Sequence, residues 1–91
     1  MPRTASGGSI SGRTLARVNR LILERDNCIT YMRNIETEYN VLTDQYMNGT
    51  ITWDIGKDQA RLMREHNRLK RRLNNIEKDL NKVRLRYNLP L

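Results

Sequence analysis

Chemistry needs reactive side chains at defined spacing, and this 91-residue chain offers few: one histidine, His66, one cysteine, Cys28, and ten carboxylates. His66 has no histidine, cysteine or carboxylate three or four residues further on, so one helical face cannot supply a ligand pair with it. Glu36 and Glu38 are two residues apart, whereas helical neighbours are three or four apart, so they do not form an acid/base pair. Apart from Thr43, the serines and threonines sit in the N-terminal segment, a turn and outward helical positions, and none has a histidine in pattern to activate it. Gly7, Gly8 and Gly12 lack the strand, lysine and spacing of a phosphate-binding loop. Cys28 alone builds no disulfide framework, which makes a reducing compartment the default. The expectation is a non-enzymatic chain with no catalytic residues, no metal and no cofactor.

Length and composition narrow the class further. A chain of 91 residues makes one domain at most, and chains of this size bury only roughly 60–65 % of their unfolded surface. Hydrophobic residues are 37 % and charged residues 30 %, with no Phe and one Trp, a balance that suits elongated helices better than a packed globule. Seventeen Lys and Arg against ten Asp and Glu give a formal charge of +7, which favours polyanionic or acidic partners. The segment from Met1 to Gly8 lacks the apolar run of a secretory signal, and no stretch approaches the roughly 18 apolar residues of a membrane span. The expectation is a soluble intracellular (cytoplasmic) or virion protein that binds macromolecules, with no membrane and no small-molecule substrate. Asn48-Gly49-Thr50 has the form of a glycosylation acceptor, expected to be unused without a signal peptide.

The pattern of apolar residues predicts an all-α fold, a long antiparallel two-helix hairpin of coiled-coil type. Residues 1–12, rich in Ser, Gly and Thr, read as a flexible arm. Residues 13–48 contain neither Pro nor Gly and carry Leu15, Val18, Ile22, Ile29, Met32, Tyr39 and Tyr46 at helical steps. Gly49 after Asn48 supplies a C-terminal stop, residues 49–52 the turn, and Thr52 a candidate N-cap. Residues 53–88 repeat strictly in heptads, with Ile55, Leu62, Leu69, Ile76 and Val83 at one seam position and Gln59, His66, Leu73, Leu80 and Tyr87 at the other. Pro90 ends the helix and leaves residues 89–91 as an apolar tip.

Folding the chain at residues 49–52 pairs seam positions whose numbers sum to 101 or 102. Tyr46 then meets Ile55, Tyr39 meets Leu62, Met32 meets Leu69, and Leu15 meets Tyr87. The polar seam residues also find one another, Thr43 opposite Gln59 and Glu36 opposite His66. Arg25, facing Ile76, is expected to snorkel to the seam edge. A second stripe of Leu21, Cys28, Ile35 and Leu42 makes the apolar face of the first helix too wide for one partner helix. It is expected to be covered by self-association into a homo-oligomer or by a protein subunit of a larger assembly. Trp53 at the turn, and Leu89 and Leu91 in the tip, are further candidate interface residues.

Charge is concentrated at the open end of the hairpin. Residues 1–20 carry four arginines and no acid, while residues 67–91 carry eight basic residues against Glu77 and Asp79. Arg13, Arg17, Arg20, Arg68, Lys70, Arg71, Arg72, Lys78, Lys82, Arg84 and Arg86 are therefore candidate contacts to a phosphate backbone, with almost no interleaved aromatics to stack on bases. The leading expectation is a structural or assembly protein that binds neighbouring subunits, as accessory components of phage or virus particles do. The first alternative is a basic nucleic-acid-binding or packaging factor. The second is a regulatory adaptor or inhibitor that docks by its apolar stripe.

Overall fold

A computed structural model describes residues 10–88, and these form two helices, α1 (Gly12–Met47) and α2 (Gly56–Tyr87), packed as an elongated hairpin 57 Å long. Among the described residues there is no strand. Residues 1–9 of the expected arm, and the tip with Leu89 and Leu91, lie outside the described residues.

The helix boundaries follow from local hydrogen bonding. Ser11, in extended conformation, caps α1: its Oγ accepts from the Thr14 N–H at 3.1 Å and its carbonyl from the Leu15 N–H at 2.9 Å. The helix thus begins at Gly12, one residue earlier than the apolar pattern predicts. At the other end Gly49 turns left-handed at φ 82°, and its N–H reaches the Tyr46 carbonyl at 3.2 Å. Asn48 Oδ1 accepts from the Thr50 N–H at 3.0 Å, closing a side-chain turn.

The expected start of α2 is corrected. The sequence places the helix from Trp53 with Thr52 as its cap, but it begins at Gly56 after Ile55, which makes no side-chain cap hydrogen bond; just before it Asp54 Oδ1 accepts from the Gly56 N–H at 2.8 Å in a side-chain turn. The connection is therefore longer than residues 49–52. Within it Ile51 and Ile55 are both buried. Asp58 in the first turn of α2, and Arg84 and Arg86 in the last, complement the helix dipole.

The core is one thin seam to which the helices contribute unequally. From α2 come Leu62, Leu69, Ile76, Leu80 and Val83, all buried, whereas α1 supplies only Val18 and Cys28. A strict heptad keeps one narrow line of α2 facing its partner throughout, so the same positions are covered at each turn. On α1 the apolar surface is broad, and most of it is half-covered. Ile10, Leu21, Ile22, Met32, Ile35, Leu73 and Tyr87 pack on the buried cluster while staying partly exposed. Among the described residues no polar or charged residue is buried.

Candidate interaction surface

The two polar seam pairs are brought together. Gln59 Nε2 donates to Thr43 Oγ1 at 2.6 Å, and the Thr43 hydroxyl donates in turn to the Tyr39 carbonyl at 3.1 Å. His66 Nε2 stands 3.7 Å from Glu36 Oε1, an ion pair only when the imidazole is protonated. Both pairs sum to 102, the pairing that folding at the turn requires. Glu36 corrects one part of the expectation: its side chain is 58 % exposed, so it reaches across the rim to His66 and is not itself a buried polar group.

The second stripe of α1 also needs correction. Cys28 is among the most buried residues, and Leu21 and Ile35 pack on the cluster around it. With Leu42 half-buried, the stripe belongs largely to the hairpin's own interface, which is centred between it and the Val18–Met32–Tyr39 line. The shift exposes the opposite edge. Leu15, on that edge and expected against Tyr87, is 46 % exposed; Tyr46, expected against Ile55, is exposed as well, although it belongs to the Val18–Met32–Tyr39 line. Arg25 takes the seam edge, with a side chain 31 % exposed and Nε 3.4 Å from Asp26 Oδ1.

Rotation of the interface gives the hairpin two different flanks. On the first, Glu36, Tyr39 and Asn40 face Met63 and His66 around an open hollow of about 300 Å³, and Arg25 faces Glu77, Asn81 and Arg84. On the second, Tyr31 and Glu38 face Glu65 and Arg68, while Thr14 and Arg17 face Asp79, Lys82 and Arg86. On the second flank one ion pair crosses the helices and another lies within α2. Arg72 reaches Glu24 at 3.4 Å across the helices, and Arg68 Nη2 donates to Glu65. That hydrogen bond, then the Glu65 charge, raises the Arg68 guanidinium above its already high ordinary pKa, so it stays charged.

The basic candidates separate by position. Arg13, Arg17, Arg20, Lys78, Lys82, Arg84 and Arg86 are all exposed at the open end, with Arg84 hydrogen-bonded to Asn81 Oδ1 at 2.6 Å and Arg86 lying over the Tyr87 ring. Arg68, Arg71 and Arg72, three and four residues apart, share one face of α2, from which Lys70 points away. Two of the four are committed to ion pairs.

The turn displays apolar surface. Trp53 is 58 % and Met47 77 % exposed, although Ile51 between them is buried. Leu23, Tyr31, Met63 and Leu85 are exposed along the rod, none of them singled out by the heptad pattern, because they lie off both seam positions. Among the described residues no three His, Cys, Asp or Glu side chains gather as metal ligands. No described helix is long and apolar enough to cross a membrane. Compared with known protein families, curated proteins and solved structures, the chain matches none.

Proposed function

We propose that this chain is a non-enzymatic assembly protein, a hairpin whose surfaces bind neighbouring subunits of a larger complex, such as an accessory component of a virion. The observation that carries this reading is the poor match between seam and surface. A single line of buried residues holds the helices together, while Leu23, Tyr31, Met47, Trp53 and Leu85 stand 58–77 % exposed. Exposed large apolar residues, especially Trp, are favoured anchors of protein interfaces. The chain should therefore stay with its complex through gradient purification, and Met47→Ser with Trp53→Ser should release it. Recovery of the unaltered chain only as free protein would remove the reading.

A second reading, electrostatic binding of nucleic acid, is favoured by the exposed basic cluster at the open end, where Arg13, Arg17 and Arg20 of α1 lie beside Lys82, Arg84 and Arg86 of α2. Binding of this kind weakens steeply with salt, because each neutralised phosphate releases counterions. Fluorescence anisotropy with duplex DNA and RNA at low salt tests it, and absence of binding there would exclude it.

A further inference from the structure

We infer that one side of the open end is a seat for the phosphate backbone of a nucleic-acid duplex, which crosses the second flank there and leaves the first flank free. The inference rests on the nucleic-acid reading and deepens it by naming the side chains that hold the phosphates and the form of the polymer.

Position is the first ground. Arg17, Lys82 and Arg86 border one open hollow of about 220 Å³ between the helices, shared with Thr14 and Asp79. On α1, Thr14 and Leu21 stand on the seam side of Arg17, so Arg13, four residues before it, and Arg20, three after it, stand on its outer side. Five exposed cations from two helices thus surround one trough that holds a single carboxylate, Asp79. None of the five takes part in an ion pair among the described residues. Seven residues further from the end, the same two lines carry Glu24 and Arg72, whose ion pair bounds the basic ground. Arg84, at the same depth as Lys82 and Arg86, turns to the other flank and bonds Asn81 there.

The surroundings choose the occupant. Leu15 and Leu85, the large apolar residues exposed at this end, lie away from the trough, Leu15 on the line of Glu36 and Leu85 on the outer face of α2. Inside it Val83 is buried and Tyr87 is half-covered, with the Arg86 guanidinium carbon 5.7 Å from the ring centre. A protein partner draws on exposed apolar anchors, and a single strand on aromatic faces for its bases. A trough of cations without either suits the backbone of a duplex, whose interfaces are markedly more positive than those between proteins.

Size agrees with that ligand. From Arg13 to Arg20 the rise is about 10 Å at 1.5 Å per residue, and packed helix axes stand about 10 Å apart. One strand of a duplex sets a phosphate every 3.4 Å or so along its axis, so a segment crossing the trough meets about three of them. Asp79 is the one group there that repels the ligand.

Fluorescence anisotropy of the full chain with a short labelled duplex at low salt tests the seat. Arg17→Gln, Lys82→Gln and Arg86→Gln combined should weaken binding at least about tenfold and lower the slope of log K against log salt by up to about 3. Lys70→Gln, Lys78→Gln and Arg84→Gln combined remove the same charge from residues that do not border the trough, and should weaken binding less than about threefold. Asp79→Asn should tighten binding, which keeps the test decisive if circular dichroism shows that the first triple variant loses helicity. Equal losses from the two triple variants, or weaker binding by Asp79→Asn, overturn the inference and leave the nucleic-acid reading standing. Polyglutamate that binds the chain more tightly than the duplex does would assign the trough to an acidic protein and overturn it as well. A parent chain that binds no duplex at low salt removes the inference and the nucleic-acid reading together.

Discussion

At the residue scale, Gly49 and Gly12 make a matched pair of tests. A methyl group added at either would meet nothing within 4 Å, so packing does not distinguish them. Backbone conformation does. Gly49 sits at φ 82°, where an L side chain crowds its own carbonyl, and Gly49→Ala should lower stability by about 1 kcal/mol. Gly12 opens α1 in ordinary helical conformation, so Gly12→Ala should raise stability by about 0.5 kcal/mol by restricting the unfolded chain. Urea titrations of the two variants should move in opposite directions. In the seam, Ile76 is 5 % exposed in the centre of the buried cluster, and Ile76→Ala should cost about 3 kcal/mol. For a domain of this size that lowers Tm by more than about 10 °C, measurable by thermal circular dichroism.

Between the helices, register is the property the sequence states most clearly, and polar residues state it. Leu, Ile and Val would pack nearly as well one heptad away, but Gln59 has to find Thr43, and His66 has to find Glu36. That constraint is visible in sequence, because the two pairs and the turn at Gly49 satisfy one sum. What stayed hidden was rotation about the axis of α1. Its apolar surface spans three adjacent lines, and periodicity alone does not say which two the partner covers, so Cys28 moved from an expected outer stripe into the core. The start of α2 was hidden too: Thr52 is a good capping residue by type, but the chain turns on through Asp54, whose Oδ1 accepts from the Gly56 N–H, before the helix begins without a side-chain cap. The Gln59 amide is the donor in its seam bond, and a carboxylate can only accept. Gln59→Glu should therefore cost about 1 kcal/mol, whereas Thr43→Val with Gln59→Leu together should match or exceed the parent in urea.

For the whole molecule, distribution of charge matters more than its total. The formal +7 says only that an acidic partner is favoured, and the fold sorts the cations into those at the open pole and those spent along the rod. Arg68 and Arg72 answer Glu65 and Glu24, and Lys70 and Arg71 point away from each other on α2. A polyanion that approaches the hairpin therefore meets its densest unpaired charge at the open end. If the hairpin binds nucleic acid there, Arg13→Ala, Arg17→Ala and Arg20→Ala combined should reduce the slope of log K against log salt by up to about 3, nearly one unit for each phosphate that is no longer neutralised. Charge reversal at Lys70 and Arg71 should change it less, since a rod lying end-on to phosphate keeps those residues far from the nucleic acid. Equal effects from both sets would mean that the polyanion lies along the rod. The basic pole would then share a surface with any neighbouring subunit, and salt would weaken both kinds of binding together.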